Sequence, residues 1–376
     1  MRDLQLASSQ SVDRPSIPGS SEAQQLWRRS RRRLSDIKGI IERRRFKQVR
    51  SQFYDRLWRE AAAEVGADLS ILPNGLRKIS QGGLTTIVDQ SELMLDSAIL
   101  DRLLLNKGVV YDWLAAKGLP VVKSARFTLE SLAIAEDFLS SHEGPVVVKP
   151  MDGTGAGHGV TTGITDVSGL RAAATRAAAL HPGLLIETQL DGASFRLLYL
   201  DGQFLDAVRR DPPVLVGDGK SSIRRLAQAE NERRRACSPI TALSPLLLDL
   251  ESRNTLASHA RDFATVPASG EEVMVKLASN ENGAAQNHIV RDEVHPDVIE
   301  AGSRAVRDLN IGFAGLDLMS SDISAPLTEG KTAFCEINAN PGIHHHYLVS
   351  NAALSANVAS RILEHIFSSR HGAITL

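Results

Sequence analysis

The sequence predicts an α+β protein, in which short strands joined by hairpin turns alternate with amphipathic helices. Apolar and polar residues alternate over residues 332–339, as in a half-buried strand, and a turn at Asp201-Gly202 folds residues 195–210 into a hairpin. Apolar residues at helical spacing over residues 358–367 predict a closing helix. The chain has 376 residues, of which 43% are hydrophobic, so it is long enough for two or three domains with sizeable cores.

The composition narrows the class of protein. The apolar runs are too short to cross a bilayer and the start does not resemble a signal peptide, so a cytoplasmic protein without a membrane partner is expected. The two cysteines, Cys237 and Cys335, are too few for a disulfide framework and lack metal-finger spacing. A charged fraction of 23% is ordinary for a globular protein.

The N-terminus is basic. Residues 1–50 contain 13 Lys/Arg and 5 Asp/Glu, whereas the whole chain has a net charge of −1. Residues 1–25 are rich in Ser, Pro and Gln and are expected to be disordered, and an amphipathic helix is expected from about Leu26 through Leu57. Such a helix either docks on its own protein or binds a nucleic acid or a membrane surface. Docking is favoured, and nucleic acid is not an expected partner, because no interleaved aromatic platform accompanies the arginines.

The strand-like stretch near the C-terminus carries two oxygen ligands. Glu336 and Asn338 are two residues apart and therefore share a face, with Phe334 on the same side and Cys335 and Ile337 on the other. A carboxylate and an amide oxygen side by side suit Mg²⁺, which is often shared with nucleotide phosphates. The alternative is an edge strand with two solvated polar side chains.

A glycine-rich loop follows a short apolar strand that ends in Lys149. Such a loop can bring backbone N–H groups close to phosphate oxygens, and the lysine would add a positive charge. The loop is neither a Walker A loop nor a dinucleotide fingerprint, because no Gly-Lys-Ser/Thr follows and residues 161–165 resemble a returning strand. Phosphate contact is therefore predicted, with a flexible glycine hairpin as the alternative. The four glycines are Gly153, Gly155, Gly157 and Gly159.

Together these stretches resemble the ATP-grasp superfamily, and within it the ATP-grasp domain of cyanophycin synthetase and the matching domain of bifunctional glutathione synthetases. The resemblance covers about residues 46–376. It rests on an ordered series of motifs, which is more specific than any one of them. The motifs are residues 146–159, 185–192, 195–196, 210–219, 294–296, 314–318 and 336–342.

The resemblance implies an ATP-grasp fold, with two α+β subdomains that clasp ATP between them. We expect a basic, partly disordered segment with an amphipathic helix at residues 1–45, a small N-terminal α/β region at 46–96 and the ATP-grasp domain at 97–376. The glycine-loop subdomain would take about residues 120–190, and a metal and substrate subdomain about 191–376. Relatives are often dimers or tetramers, so a homo-oligomer is compatible with the resemblance, but the sequence leaves the oligomeric state open.

The resemblance also implies an activity. ATP and Mg²⁺ would activate a carboxylate as an acyl phosphate, and an amine would attack it to form an amide, releasing ADP and phosphate. The substrates would be small molecules, namely an amino acid or a small peptide. In this chemistry the protein mainly positions the reactants and neutralises their charge.

The resemblance assigns residues to three tasks. Lys107, which falls within a helix expected from about Ser97 to Lys117 or at a break near Gly108, would contact the phosphates. The other nucleotide contacts would be Lys149, the four loop glycines, Glu187 and Leu190 at the adenine hinge, and Ser194 at the ribose position. The metal ligands would be Asp317, Glu336 and Asn338, and the catalytic group would be Arg210, Lys149 and Arg196. The alternatives are a strand-end cap for Asp317, a surface ion pair for Arg210 and a solvated helix lysine for Lys107.

Other stretches depart from the family pattern. Residues 280–287 replace a Ser-Thr-Gly-Gly-Thr loop that helps to hold the acceptor in relatives, which makes Asn282 and Gly283 candidate contacts of a different substrate. In the run of three histidines, His344 or His346 is expected to contact substrate; a metal site is disfavoured because consecutive strand residues face opposite ways. The Mur-ligase-like half of cyanophycin synthetase has no counterpart here, so a two-reaction polymerase is not expected.

A second hypothesis is a non-catalytic, regulatory ATP-binding module that recruits a partner through its basic N-terminal helix. The changed substrate loop and the basic N-terminus support it. The filled phosphate and metal positions oppose it, because a degenerate module would be free to lose them. The sequence does not identify the carboxylate or the amine, since substrate contacts come from loops.

Overall fold

The structure, a computed structural model, describes residues 37–152, 159–327 and 331–375. The predicted disordered start, the first part of the basic helix, and Gly153, Gly155 and Gly157 lie outside these ranges. The chain divides into two units, residues 1–40 and residues 41–376, and the features below belong to the second, except for residues 37–40 at the start of the first helix. In the described ranges, no helix combines the length and the apolar character needed to cross a membrane.

The described elements alternate along the chain much as the sequence predicts. The helices are α1 (Ile37–Glu64), α2 (Ala98–Leu104), α3 (Lys107–Ala116), α4 (Leu132–Ser140), α5 (Val167–Ala177), α6 (Ile223–Arg235), α7 (Leu250–Ser258), α8 (Pro296–Asp308) and α9 (Val358–Ser369). The first strands are β1 (Asp68–Ile71), β2 (Arg77–Gln81), β3 (Leu84–Val88), β4 (Ser124–Phe127), β5 (Val146–Pro150), β6 (Thr161–Ile164), β7 (Leu184–Thr188) and β8 (Ala193–Leu200). The remaining strands are β9 (Gln203–Arg210), β10 (Val214–Val216), β11 (Glu272–Met274), β12 (Asn287–Ile289), β13 (Phe313–Ser320), β14 (Thr332–Ala339) and β15 (Ile374–Thr375).

Helix α1 packs on its own protein from Phe46 onward. Phe46, Phe53 and Trp58 are almost fully buried, in one apolar cluster with residues of α9. The Trp58 indole N–H donates to the Gln90 carbonyl at 2.7 Å, which satisfies the one polar group of that side chain. The apolar stripe of this part of the helix is therefore occupied by the protein's own core.

A five-stranded antiparallel sheet, in the order β12-β9-β8-β13-β14, forms the centre of the second unit. One face is apolar and packs on α8, with Leu197, Leu316 and Ile337 in the same buried cluster as Val298 of that helix. The opposite face of this sheet has an apolar part and a polar part. Its apolar part, which includes Leu198, belongs to the cluster with α1 and α9, and its polar part carries the candidate site.

A β-bulge interrupts β14 at Cys335. Asp317 of β13 pairs with Glu336, but the next residue, Leu318, pairs with Phe334, so Cys335 is the extra residue. Phe334 is fully buried in the apolar cluster that also contains Ile337. The prediction that Phe334 shares a face with Glu336, opposite Ile337, is therefore wrong, because the bulge resets the strand's alternation.

A second, four-stranded sheet has the order β4-β7-β5-β6 and is also antiparallel. Val146, Val148 and Ile186 point to one face, where they pack on the alanine-rich helix α5. Lys149 and Glu187, one position further along their strands, therefore point to the other face. Two further sheets complete the unit. One has four strands, in the order β1-β2-β3-β15, and the other has two, β10-β11, which pack with α6 and α7.

The helix expected at residues 97–117 is two helices with a break at Asn106. The Asn106 side chain accepts a hydrogen bond from the Val109 N–H at 3.1 Å and so caps the start of α3. Lys107 is the first residue of α3, and its backbone N–H donates to the Met151 carbonyl at 3.0 Å. The break thus ties Lys107 to the strand end that leads into the glycine loop.

Candidate active site

A cluster of charged side chains occupies the polar face of the five-stranded sheet. On that face Asp317 of β13 is paired directly with Arg196 of β8 on one side and with Glu336 of β14 on the other. Directly opposed residues in an antiparallel sheet have Cβ atoms about 4.5–5.5 Å apart, so these three side chains are neighbours. Asn338 lies two residues beyond Glu336 and shares its face.

Two arginines hold the Asp317 carboxylate. Arg196 donates through Nε and Nη2 to Oδ1 and Oδ2 at 2.6 and 2.7 Å, and Arg210 Nη2 lies 3.0 Å from Oδ2. Burial by itself raises the pKa of Asp317, but the charges and hydrogen bonds of Arg196 and Arg210 outweigh it, so the pKa lies below its usual value. Asp317 therefore stays ionised. Asp317 does not cap a strand end, because it lies within β13. The ion pair of Arg210 with Asp317 is buried, so it is not a surface ion pair.

One N–H donor of Arg210 is not used in a hydrogen bond with the described residues. Its Nη2 also donates to Ser194 Oγ at 3.1 Å, but its buried Nε has no hydrogen-bond partner among the described residues. The guanidinium is 7% exposed, and burial is the main reason why its pKa is lowered from the ordinary value. Two buried guanidinium groups face one carboxylate here, which leaves an excess of positive charge suited to an anion.

Lys107 joins this cluster from helix α3. Its Nζ lies 3.2 Å from Glu336 Oε1, and the residue is only 9% exposed, so the solvated-lysine alternative is wrong. A cation at the first turn of a helix is placed against the positive end of the helix dipole. Lys107 therefore gains its favourable charge interaction from Glu336 and not from the helix dipole.

Lys149 belongs to a second buried polar group, which joins the four-stranded sheet to helix α3. Lys149 Nζ is 2.7 Å from Glu187 Oε2 and donates to the Tyr111 hydroxyl at 2.9 Å, and that hydroxyl donates to Glu187 at 2.9 Å. Burial is the main cause that raises the pKa of Tyr111 well above its ordinary value, so it remains protonated. Cys335 lies near this group: burial raises its pKa to about 12, and the charges of Lys149 and Glu187 also act on it.

Tyr111 is a site residue that the sequence reasoning missed. Its position four residues after Lys107 on α3 is a signal that could have found it, because such residues lie on the same helix face.

Leu190 lies in the segment that joins the two sheets. Strand β7 ends at Thr188 in the four-stranded sheet, and β8 begins at Ala193 in the five-stranded sheet.

Gly159, the loop glycine within the described ranges, has a φ of +80°. This left-handed backbone conformation favours glycine at the position.

One of the predicted substrate residues, Asn282, contacts the residue that follows Arg210 in sequence. Asn282 donates to the Asp211 carbonyl at 3.0 Å and to Asn287 Oδ1 at 2.8 Å, while its own buried Oδ1 has no partner among the described residues. The Gly283 N–H donates to Gln286 at 3.0 Å. A small polar pocket opens here, without a charged side chain among the described residues of its wall. Its polar lining includes Thr241, Ser244, Asn280, Asn282, Asn287 and His344.

The three histidines form one turn of 3-10 helix, Ile343–His346, and not a strand, so the strand argument about their directions does not apply. His344 Nδ1 is 3.2 Å from the Tyr54 hydroxyl, and burial lowers the pKa of His344 to about 3. His346 is fully buried, with Nδ1 2.8 Å from Asp206 Oδ2, and burial lowers its pKa in spite of that carboxylate. Of the two candidates, His344 lines the pocket. Tyr54 and Asp206 were missed, since nothing local marks them.

Comparison with known proteins gives relatives of two kinds. No family model matches the sequence. Cyanophycin synthetase of Trichormus variabilis is 29% identical over 256 residues, which cover 68% of this chain and 28% of the relative. The bifunctional glutathione biosynthesis protein GshAB of Desulfotalea psychrophila is 26% identical over 278 residues, which cover 72% of this chain and 35% of the relative. The chain thus spans about a third of the length of the curated relatives that it matches.

The fold has a counterpart among solved structures. A bifunctional glutathione synthetase from Pasteurella multocida superposes with a TM-score of 0.52 at 22% identity, over 81% of this chain and 42% of that one. At this identity the similarity concerns the fold alone.

Proposed function

We propose that this chain, which has the ATP-grasp fold, is an ATP- and Mg²⁺-dependent ligase that joins a carboxylate to an amine. ATP would convert the carboxylate into an acyl phosphate, and the amine would displace phosphate to form an amide, with release of ADP and phosphate. The observation that carries the proposal is the direct pairing of Asp317 with Arg196 and Glu336 on one sheet face, with Lys107 and Arg210 against them. The names of the relatives, cyanophycin synthetase and GshAB, support it.

The phosphates of ATP would bind where Lys107, Lys149 and Arg210 present their charge. All three are at most 9% exposed, so their interactions with an anion are screened little by solvent. The buried Nε of Arg210, without a partner in the described ranges, would gain a phosphate oxygen as acceptor. The Glu187 carboxylate and the Tyr111 hydroxyl hold Lys149 in place, which reduces the entropy lost on binding.

The donor set of the cluster fits Mg²⁺. Asp317 and Glu336 offer two directly opposed carboxylates, and Asn338 offers an amide oxygen on the same face. The arginines keep Asp317 ionised, as a cation ligand must be. When bound, the ion would neutralise negative charge that develops on the phosphates.

The adenosine would lie against the segment between the two sheets. We assign Glu187 and Leu190 to the adenine side and Ser194 to the ribose side. Ser194 Oγ already accepts from Arg210, so its hydroxyl proton is available to a ribose oxygen. In this assignment the nucleotide extends from the segment between the two sheets, where the adenine lies, toward Asp317, where the phosphates lie.

The reacting groups would meet at Arg196 and Arg210. A guanidinium presents several N–H groups in one plane, which suits both a transferred phosphoryl group and the oxyanion formed when an amine attacks. Arg196 is held through two short bonds by Asp317, so its position is fixed before substrate arrives. The protein therefore supplies orientation and charge, and no protein nucleophile is required.

The substrate would contact the side chains around the small polar pocket that Asn282 and His344 line. Asn282 and Gly283 are linked to the strand end through Asp211, and His344 lines the same wall. His344 is neutral near pH 7, so it can donate or accept a hydrogen bond without adding charge. His346, which is buried against Asp206, would act by holding the histidine turn in place. A lining without charged side chains favours a neutral part of an amino acid or small peptide.

The proposal is tested without knowing the amine. Purified protein is incubated with ATP, Mg²⁺ and a panel of amino acids and small peptides, with hydroxylamine as the nucleophile. An acyl phosphate is trapped as a hydroxamate, and ADP must appear in equal amount. Formation of AMP and pyrophosphate would contradict the mechanism.

Glu336→Gln tests the cation site, with Glu272→Gln as the matched control, since Glu272 is an exposed strand residue. Metal-ion catalysis contributes several kcal/mol, so we expect Glu336→Gln to lower hydroxamate formation by at least about 100-fold. The control should keep full activity. Retained activity in a folded Glu336→Gln protein, judged by circular dichroism, would remove the cation assignment.

A further inference from the structure

Three potential metal ligands meet at a surface separate from the ligase site. Asp201 lies at the tip of the β8–β9 hairpin, His365 lies in α9, and His371 lies in the turn after that helix. One ligand atom from each side chain lies within 4.8 Å of the others. We infer that Asp201, His365 and His371 form a binding site for a transition-metal ion of the Zn²⁺ class.

The distances are close to those of a metal site. His365 Nε2 is 2.7 Å and His371 Nδ1 is 3.5 Å from the same Asp201 oxygen, Oδ2. Ligand atoms 2.0–2.1 Å from a tetrahedral Zn²⁺ lie about 3.3 Å apart, so shifts of less than about 1 Å would accommodate the ion. Two imidazoles with one carboxylate suit Zn²⁺ and similar ions, whereas Mg²⁺ prefers oxygen ligands alone.

The surroundings hold the ligands in position. The Asp201 N–H donates to the Gly312 carbonyl at 2.8 Å, and the Asp96 carboxylate accepts from the Gly312 and Phe313 N–H groups at 2.8 and 2.9 Å. A Cβ at Gly312 would lie 3.0 Å from His371 Cε1, so glycine leaves room for that imidazole. A single Asp201–His365 ion pair would not require a second imidazole directed at the same oxygen.

The ion would join parts of the chain that are far apart in sequence. The ligands come from the hairpin that leads into β9, the strand of Arg210, and from the C-terminal helix and its following turn. Side-chain exposures of 38% for Asp201, 21% for His365 and 45% for His371 leave a path for the ion. An ion that binds only the folded chain raises its stability by mass action.

The test measures Zn²⁺ binding by calorimetry to the full chain, with Mg²⁺ in excess to occupy the oxygen site. We expect one Zn²⁺ per chain, a rise in Tm with Zn²⁺, and, with Co²⁺ as probe, the visible absorption of a nitrogen-ligated ion. His365→Gln, His371→Gln and Asp201→Asn should each weaken Zn²⁺ binding by at least about 10-fold. His259→Gln, a substitution of an exposed histidine elsewhere, should leave it unchanged.

Two results would overturn the inference. One is the absence of stoichiometric Zn²⁺ binding by the unmodified chain. The other is equal Zn²⁺ affinity in the unmodified chain and in the three ligand variants, which would place the ion elsewhere. The ligand positions lie at the surface, so the variants are expected to fold, and circular dichroism in the absence of metal checks this.

Discussion

Replacing Asp317 by Asn removes the negative charge at the centre of the candidate active site with almost no change in side-chain volume. In the structure this carboxylate receives three short contacts, at 2.6 and 2.7 Å from Arg196 and at 3.0 Å from Arg210. An amide keeps some of the hydrogen bonds but removes the carboxylate charge that both buried guanidinium groups contact directly. The substitution therefore tests whether the arginines are held for an anion.

The expected cost follows from burial. The side chains of Asp317, Arg196 and Arg210 are 13%, 12% and 8% exposed, so solvent screens the unpaired charges little. Removing one partner of a buried ion pair costs about 3–5 kcal/mol, and here two cations lose the same partner. We expect the free energy of unfolding to fall by an amount in that range. Inorganic pyrophosphate should restore part of the loss, because it supplies the missing negative charge.

Urea unfolding followed by tryptophan fluorescence measures the loss, since Trp58 is fully buried in the apolar core. The matched control is Asp308→Asn: Asp308 also contacts a cation, Lys117, at 2.9 Å, but both side chains are more than 40% exposed. A surface pair of this kind contributes little, so the control should unfold near the urea concentration of the unmodified chain. If Asp317→Asn behaves like the control, or if pyrophosphate has no effect on it, the reasoning about a buried anion site is wrong.

Two further predictions follow from the buried groups around the site. Tyr111→Phe removes the hydroxyl between Lys149 and Glu187, and since a hydrogen bond to a charged group is worth about 1.5–3 kcal/mol, ATP affinity measured by calorimetry should fall by a factor between about 10 and 150. Tyr199→Phe, whose hydroxyl contacts the Ile299 carbonyl at the sheet's other face, should leave the affinity unchanged, and equal affinities in both variants would refute the role of Tyr111. Burial lowers the pKa of His344 to about 3 from 6.5, so the unfolded chain takes up a proton first, and His344 should contribute a loss of stability that approaches about 1.4 kcal/mol per pH unit as pH decreases below about 6.5. The pKa values of His345 and His346 are also lowered by burial, so these residues add to the slope. Urea midpoints between pH 7.5 and 5.5 should show this slope, and His344→Gln should reduce it; an unchanged slope would mean that His344 is not held neutral by the fold.

The sequence by itself determined the local features. The strand that contains Lys149, the returning strand at β6 and the strand around Glu336 depend on neighbouring residues alone, because side-chain period and turn residues act over a few positions. The ordered series of such motifs was sufficient to predict the ATP-grasp fold. The predicted domain boundaries and the roles of the site residues stay predictions.

Only the tertiary structure decided which side chains meet. Arg196 and Asp317 are 121 residues apart in sequence, and their pairing depends on the register of β8 and β13. The bulge at Cys335 depends on pairing with β13, and the alternation in the sequence predicted the wrong face for Phe334. The physical reason is that register and burial are set by packing between distant segments, whereas sequence patterns report only what a segment does by itself.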